Sequence, residues 1–570
     1  MGRNGPVTAD FPVTLVTSFL HRGPGLLSWV VILVSVAGPF LYPLSFLIWA
    51  SLYALWFMGS IAPTAVGLAR TCWNIRAQQA KPTPEPCAEG QLHAFMLCTY
   101  KDDISLLRRT LDLLAGHVGA DKKYVVVLAL EARADESEKA RQLVSEYSSK
   151  FLAMSFNEHV DAPGECRGKA SNASSAGRYL NKLVGALGLP RNEILVTVLD
   201  SDIEVYQEYI ARLEENVAQV KHGDMHRTLF CPYMTFYNTE DDSSVPAGVA
   251  QWDVLWAAAV IGNMGRKPWL YNVKFPCSTY SISLETLVEM GFWEVGDVGI
   301  GEDHHTALRL FFTFPHEADF QVIHAPFGAS SVGADGLLSG IRARATQAQR
   351  HYLAQMDISY VCYRAYQQWQ TFRVWQLAGL VLEVSGHFLH LTLSLPVTSL
   401  GLGILGLWYV LLDSCAPSPW KDADWCEVEH IFGYQWKTVV QVWLLILGTC
   451  LQGVLIASTA VVLPCAEYCN FAHHKGRTLR EYVCGALRRY VSGGPYMLLF
   501  TFPPALMATT KLLMGYGVVY KSADKSHLKP VELLGPPSPV SASEVVEARP
   551  PVLLVAEDKA ELVLSANPCV

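Results

Sequence analysis

The sequence predicts an α/β domain with a mostly parallel sheet, inserted between transmembrane helices. Long apolar blocks begin near residue 26 and after residue 373, and strand-like and helix-like patterns alternate in the stretch between them. The composition agrees, since 51% of the 570 residues are hydrophobic and only 17% are charged, whereas soluble domains carry about 25% charged residues. The composition therefore argues against a simple cytosolic enzyme and excludes a wholly disordered chain.

The charge balance and the cysteines narrow the function classes further. The chain has 44 Lys and Arg against 52 Asp and Glu, a net charge of −8, so it lacks the basic footprint of a nucleic-acid-binding protein. The 14 cysteines are scattered along the chain, which is typical of free thiols in a reducing compartment.

The first apolar block predicts two membrane-spanning helices. Residues 26–69 contain no Lys, Arg, Asp or Glu and are long enough for two spans, which we place at 26–42 and 44–66. Arg70 and Arg76 follow at once, and the positive-inside rule therefore puts the next segment in the cytosol.

The second apolar block predicts three or four more spans. Residues 374–412 are long enough for one or two helices, and residues 438–464 and 491–510 are each long enough for one. If the chain crosses the membrane six times, the more basic of the two loops between the C-terminal spans would lie outside the cytosol. Basic loops usually lie in the cytosol, so whether the number of spans is even or odd stays open.

The predicted organisation follows from these blocks and from local composition. In chain order it comprises an N-terminal segment (1–25), two transmembrane helices (26–69), a cytosolic domain (85–355), an interface helix rich in Tyr and Trp (356–373), a C-terminal transmembrane region (374–516) and a disordered tail rich in Pro and Ser (524–570).

An acidic motif follows a buried strand of the inserted domain. Asp200-Ser201-Asp202 comes directly after the apolar run 194–199, and ligands of such sheets bind at the carboxyl ends of strands. Two carboxylates there suit Mg²⁺ or Mn²⁺, which in turn holds a diphosphate. The alternative is a solvated acidic turn.

Two further motifs carry groups suited to catalysis. Glu302-Asp303 heads a helix-like stretch, where a carboxylate acts either as a general base or as a helix cap. Arg350 lies on a polar helix with Gln347, and its guanidinium either binds phosphate or belongs to an exposed helix face.

The motifs, in this order and in this membrane setting, resemble the membrane-embedded, inverting family 2 glycosyltransferases, which include cellulose, chitin and hyaluronan synthases. The similarity covers about residues 92–355 and the flanking helices. The segments that carry it are Thr99-Tyr100-Lys101-Asp102-Asp103, Gly168-Lys169-Ala170, Asp200-Ser201-Asp202, Phe275-Pro276-Cys277-Ser278, Gly301-Glu302-Asp303 and Gln347-x-x-Arg350-His351. The resemblance implies a GT-A-like nucleotide-sugar-binding domain.

The resemblance also implies a role for each matching residue. Asp303 is the catalytic base, and Asp200 and Asp202 bind Mg²⁺ or Mn²⁺. The donor-binding residues are Tyr100, Asp102, Glu131, Lys169, Asp200, Gln347 and Arg350. The acceptor-side residues are Cys277, Ser278, Glu302 and His351, the last replacing the family's Trp.

The implied activity is transfer of a sugar from a nucleotide sugar, expected to be a UDP-sugar, to a growing polysaccharide that is translocated across the membrane. The closest alternative is transfer of one sugar to a lipid such as a ceramide or a polyprenyl phosphate, and the His351 replacement strengthens it. A non-catalytic scaffold or transporter with a degenerate domain is a third hypothesis. The expected location is the plasma membrane or the Golgi, with the catalytic domain in the cytosol.

A polar face also interrupts the second apolar block. Glu383, His387 and His390 fall at positions i, i+4 and i+7, which puts them on one side of a helix. They either line a polymer channel or contact neighbouring helices.

Overall fold

The computed structural model describes residues 15–82, 91–220, 224–237, 247–266, 272–332, 336–411, 430–431, 434–472 and 477–515. Its helices are α1 (Leu15–Leu41), α2 (Pro43–Gln79), α3 (Ile104–Ala115), α4 (Ala120–Lys123), α5 (Ser137–Tyr147), α6 (Lys169–Ala186), α7 (Gln207–Gln219), α8 (Ala247–Gly265), α9 (Leu284–Glu289), α10 (Glu302–Thr313), α11 (Leu337–Leu353), α12 (Met356–Gln367), α13 (Val374–Leu395), α14 (Leu402–Leu411), α15 (Trp436–Phe471), α16 (Leu479–Phe500) and α17 (Phe502–Leu513). Its strands are β1 (Leu92–Cys98), β2 (Tyr124–Glu131), β3 (Ala153–His159), β4 (Ile194–Asp200), β5 (Glu204–Val205), β6 (Thr228–Phe236), β7 (Tyr280–Ser283), β8 (Asp319–Ala329), β9 (His430–Ile431) and β10 (Tyr434–Gln435).

Eight strands form one mixed sheet in the order β3-β2-β1-β4-β7-β6-β8-β5. Strands β3, β2, β1 and β4 are mutually parallel, and β6 also pairs in parallel with β8. β1, β2 and β4 are apolar along nearly their whole length because they are buried on both faces, as expected for parallel strands covered by helices. The predicted α/β fold with a mostly parallel sheet is confirmed.

The register of the parallel strands aligns their carboxyl ends. Cys98 at the end of β1 is paired in register with Asp200 at the end of β4 and with Ala129 near the end of β2. β2 itself ends at Glu131. The acidic motif after β4 and the acid at the end of β2 therefore lie at the same edge of the sheet.

One predicted element begins later than expected. The sequence pattern of residues 203–217 predicts a helix, but the helix found there, α7, starts at Gln207. The residues before it form β5, since Glu204 and Val205 pair in antiparallel fashion with Gly328 and Phe327 of β8.

Among the described residues, three helical segments are long and apolar enough to cross a membrane: Val16–Leu41, Pro43–Gln79 and Gln441–Phe471. A fourth is added if the pair Val374–His390 and Thr392–Leu407, bent by 67°, counts as one span. A π-helical turn, Pro396–Gly401, joins α13 to α14 in this bent region.

The C-terminal helices differ from their predicted bounds. The expected span 491–510 is divided between α16 and α17, because the chain breaks at Thr501 and proline follows in the first turn of α17. Within the expected interface helix 356–373, α12 ends at Gln367. The tail predicted at 524–570 lies outside the described residues.

The polar face of α13 contacts neighbouring elements. Glu383 Oε1 lies 3.2 Å from Arg266 Nη1 at the end of α8. The ring centres of His387 and His304 are 5.3 Å apart, and those of His390 and Phe57 are 5.2 Å apart. These contacts favour the second interpretation of the face, satisfaction by neighbouring helices.

Candidate active site

A turn before β7 brings the two acidic motifs together. Ser278 has a φ of +65°, in the left-handed region that non-glycine residues seldom adopt. Its Oγ donates to Asp200 Oδ2 (2.7 Å), its N–H donates to Asp303 Oδ2 (2.6 Å) and its carbonyl accepts from Lys169 Nζ (2.9 Å). Every polar group of Ser278 is thus bonded, which offsets a backbone cost of about 1–3 kcal/mol.

Lys169 is the cation at the centre of these acids. Its Nζ lies 3.0 Å from Asp200 Oδ1 and 2.8 Å from Glu302 Oε1. Burial alone would lower the pKa of Lys169, but the two carboxylates raise it well above its usual value, so the side chain is charged at neutral pH. The preceding Gly168 has a φ of +147°, which a residue without Cβ adopts without strain.

The two acids that begin α10 have different surroundings. Burial raises the pKa of Glu302 to about 7, with Lys169 acting in the opposite direction. Asp303 has one carboxylate oxygen bonded to the N–H of Ser278 and the other to the N–H of His304, at 2.6 and 2.8 Å. These backbone donors fix the orientation of the Asp303 carboxylate.

We call Lys169, Asp200, Ser278, Glu302 and Asp303 the acid cluster. Its contacts join β4, α6, α10 and the turn before β7. Cys277 adjoins the cluster, and burial, followed by the charge of Asp303, raises the pKa of its thiol. The thiol is therefore neutral at physiological pH.

Asp202 lies beside the acid cluster and faces β8. The hydroxyl of Ser330, just after β8, donates to Asp202 Oδ2, and the hydroxyl of Tyr237 donates to the Asp202 carbonyl at 3.3 Å. Asp202 is 7% exposed, whereas the Asp200 side chain is 35% exposed. Sequence reasoning missed Ser330, because nothing in the local pattern distinguishes it from other serines.

The donor set of Asp200 and Asp202 fits a divalent cation that is shared with a phosphate ligand. Mg²⁺ is commonly held by one or two carboxylates, with substrate phosphates and water completing its shell. Within the described parts of the chain, no group of three His, Cys, Asp or Glu side chains is arranged to hold a metal by itself. Asp200 and Asp202, next to Lys169, therefore match a site in which one or two carboxylates share the cation with a substrate phosphate.

Three of the predicted donor-binding residues, Tyr100, Asp102 and Glu131, lie at the ends of β1 and β2. Sequence reasoning missed Arg133 beside them, and we call these four residues the nucleoside end. The guanidinium of Arg133 lies 4.5 Å from the centre of the Tyr100 ring and pairs with the Glu131 carboxylate. Asp102 Oδ2 accepts from Thr99 Oγ1 at 3.0 Å and from the Tyr100 N–H at 3.1 Å. Asp102 therefore shapes the turn that presents Tyr100.

Gln347 belongs to a buried polar network that sequence reasoning missed. Its Oε1 accepts from Arg344 Nη1 at 2.9 Å, and Arg344 Nε donates to Asp253 Oδ1 at 2.5 Å. Arg344 and Asp253 are both 2% exposed. The sequence did contain a signal for this contact, because Arg344 and Gln347 stand three residues apart and therefore lie on one face of a helix.

His351 stacks on an aromatic residue from another helix. Its ring centre lies 5.3 Å from that of Trp256 in α8, with the ring planes 25° apart. Burial and the charge of Arg350 lower the pKa of His351 well below its usual value, while Asp200 acts to raise it. His351 is thus a neutral ring within electrostatic reach of the acid cluster, and Arg350 precedes it on α11.

No protein-family model and no curated protein matched the chain. Solved structures with similar folds include a mannosyltransferase of Pyrobaculum calidifontis in complex with GDP-Man and Mn²⁺ (16% identity, 70% of this chain, 98% of that chain, TM-score 0.36). Two others are GalNAc-T7 with UDP, GalNAc and Mn²⁺ (11% identity, 52% of this chain, 55% of that chain, TM-score 0.27) and S. aureus TarS 1–349 (12% identity, 71% of this chain, 91% of that chain, TM-score 0.29). Since these TM-scores are below 0.5, the proposed function depends on the residues of the site itself.

Proposed function

We propose that the chain is a membrane-embedded, inverting glycosyltransferase that uses a nucleotide sugar, with a GT-A-like catalytic domain at 85–355. The observation that carries this proposal is the convergence of Asp200 and Asp303 on Ser278, beside the buried cation Lys169. Asp200 stands at the carboxyl end of the parallel strand β4, a position that suits a phosphate-bearing ligand.

In this proposal Asp202, supported by Asp200, would hold a Mg²⁺ or Mn²⁺ ion, which would supply positive charge to neutralise the diphosphate. Lys169 adds a positive charge next to Asp200, and Arg350 stabilises the departing nucleotide. Ser278 keeps the Asp303 carboxylate in one orientation through its N–H.

Asp303 takes the proton from an acceptor hydroxyl as that oxygen attacks the anomeric carbon of the donor sugar. The new carbon–oxygen bond forms while the bond to the diphosphate breaks, and the nucleoside diphosphate leaves with the electron pair. One in-line displacement inverts the anomeric configuration without a covalent glycosyl-enzyme.

The nucleoside end supplies the remaining donor contacts. Tyr100 presents a partly buried aromatic ring, and Glu131 and Arg133 offer an acceptor and donors of hydrogen bonds at the same edge of the sheet. These groups match the flat base and hydroxyl-bearing ribose of a nucleotide, and a UDP-sugar is the donor we propose.

For the acceptor we propose a growing polysaccharide, extended processively and moved across the membrane. The placement of apolar helices on both sides of the domain supports this, with α1 and α2 before it and α13 to α15 after it. Cys277, Ser278, Glu302 and His351 form the acceptor side in this scheme. The protein would be a multi-pass membrane protein with its catalytic domain in the cytosol.

A crevice among the apolar helices favours the alternative of a lipid acceptor. It has a volume of about 300 Å³ and is lined by Ile32, Leu395, Pro396, Ser399, Leu400 and Phe502. An acyl or prenyl chain fits such a surface, because five of its six lining residues are apolar.

A donor screen on the purified, detergent-solubilised protein tests the proposal. Labelled nucleotide sugars are supplied with Mg²⁺ or Mn²⁺, and nucleotide release and product mass are both followed. A long polymer supports the polysaccharide synthase, and a glycolipid of one added sugar supports the alternative. Inertness across the whole panel, with the fold intact, would instead support a non-catalytic scaffold.

A further inference from the structure

A buried carboxylate joins two consecutive histidines in the first turn of α10. Asp357 Oδ2 lies 2.6 Å from His304 Nδ1, and Asp357 Oδ1 lies 2.6 Å from His305 Nδ1. Asp357 is 0% exposed, and the two histidines are 6% and 1% exposed. Asp357 lies on α12, outside every motif of the acid cluster. Its burial and its two hydrogen bonds therefore need an explanation of their own.

The geometry fixes the orientation of the helix turn. An ionised carboxylate only accepts hydrogen bonds, so the Nδ1 atom of each ring carries the hydrogen. Consecutive helical residues point about 100° apart around the axis. A single acceptor that holds both side chains therefore restricts rotation of the turn more than either bond would alone.

Ring contacts hold the same histidines from other sides. The ring centres of His304 and Phe275 are 3.9 Å apart, with the ring planes nearly parallel at 11°. The ring centres of His304 and Phe388, in α13, are 4.9 Å apart. The His305 ring lies 4.5 Å from that of Tyr360 in α12. The first turn of α10 is thus anchored to α12, to α13 and to the segment that leads into Ser278.

The anchored turn lies next to Asp303, the residue that takes the proton in the proposed reaction. Asp303 directly precedes His304 and bonds the N–H of both His304 and Ser278. The segment Phe275–Ser278 therefore contacts α10 at two points, ring against ring at His304 and N–H against carboxylate at Asp303. A misplacement of about 1 Å in such a group lowers the rate about 100-fold.

We propose that Asp357 is a positioning residue that sets the location of the Asp303 carboxylate through His304 and His305. The inference rests on the proposed function of Asp303 as the base. A metal-binding role for the paired histidines lacks support, since no group of three His, Cys, Asp or Glu side chains among the described residues is arranged to hold a metal ion.

The test compares Asp357→Asn with the wild-type protein in the full chain. An asparagine replaces one of the two acceptor oxygens by an NH₂ donor, so one Nδ1–H group loses its acceptor. We therefore expect kcat to fall about 30- to 100-fold while the donor KM stays within about 2-fold. A parallel loss of donor affinity and of thermal stability, with kcat of the folded fraction unchanged, would show a merely structural role.

Two pairs of histidine variants keep the proposal testable if Asp357→Asn does not fold. An asparagine amide lies near the position of Nδ1, and a glutamine amide lies nearer to Nε2. His304→Asn and His305→Asn should therefore retain a kcat several-fold above that of His304→Gln and His305→Gln. Equal rates within each pair would overturn the proposal.

Asp303→Asn is measured beside these variants, so that the role of Asp303 as the base and the positioning role of Asp357 are tested separately. If Asp303→Asn retains full transfer, the proposed base is wrong whatever Asp357 does. If Asp303→Asn is inactive while Asp357→Asn equals the wild type, only the positioning role of Asp357 is wrong.

Discussion

The acid cluster and the nucleoside end are built from contacts of very different range. The hydrogen bonds of Ser278 in the acid cluster join residues 25, 78 and 109 positions apart in the chain. The side-chain hydrogen bonds of Asp102 and Arg133 in the nucleoside end join residues only two or three positions apart. The first group forms only when the whole domain has folded, whereas the second consists of two local turns joined by the contact of Arg133 with the Tyr100 ring.

This difference has a consequence for catalysis. Long-range contacts from buried groups hold the Asp303 carboxylate in one place, as a base that acts on a bound hydroxyl requires. Local contacts at Tyr100 and Glu131 leave that edge able to adjust to a base and ribose. Damage to the acid cluster should therefore lower kcat, and damage to the nucleoside end should raise the donor KM.

The largest expected effect is that of Asp303→Asn. Removal of the base should lower kcat about 1,000-fold, within the range of about 100- to 10,000-fold for general bases, and leave donor binding nearly unchanged. Transfer is measured as nucleotide release under saturating donor. The exposed Asp121→Asn is the matched control, and equal activities of the two variants would contradict the role of Asp303.

Tyr100→Ala should have a smaller effect of a different kind. Loss of the ring removes a stacking surface at the nucleoside end, so the donor KM should rise about 10-fold, equivalent to about 1.4 kcal/mol, with kcat little changed. Tyr100→Phe keeps the ring and should restore the wild-type KM. A drop in kcat at constant KM would contradict the proposal that the nucleoside end determines the donor KM and the acid cluster determines kcat.

The third effect acts on stability rather than on catalysis and concerns its pH dependence. Because burial raises the pKa of Glu302 from 4.5 to about 7, this group stabilises the fold at low pH, and that stabilisation is lost as the pH rises through about 7. From pH 5 to pH 8 the wild type should lose up to about 3 kcal/mol relative to Glu302→Gln. Thermal unfolding across this range measures the difference.

The exposed Glu138→Gln serves as the control for that series and should follow the wild-type curve at every pH. A wild type whose stability rises relative to Glu302→Gln between pH 5 and pH 8 would contradict the assigned direction.

The contrast in contact range also explains what the sequence could predict. The strand Ile194–Asp200 and its acidic end were predictable, because an apolar run followed by Asp200-Ser201-Asp202 is a local signal. The turn that presents Tyr100 was predictable for the same reason. In each case the sequence signal lies in neighbouring residues of the chain.

Other parts of the site could not be predicted because they depend on the tertiary fold. Ser278 reaches Asp200 and Asp303 only through the antiparallel pairing of β7 with β4. Asp357, Ser330 and Trp256 come from elements whose placement no local pattern fixes. The break at Thr501 was likewise hidden, because hydropathy alone does not show where a long apolar stretch divides into two helices.

The most direct test of the central claim is Mn²⁺ binding to the purified protein, measured by electron paramagnetic resonance with and without UDP. We expect tight binding only with the nucleotide present, lost in Asp202→Asn and retained in Asp303→Asn. Equal Mn²⁺ binding by the wild type and Asp202→Asn in the presence of UDP would contradict a cation held between these carboxylates and a diphosphate.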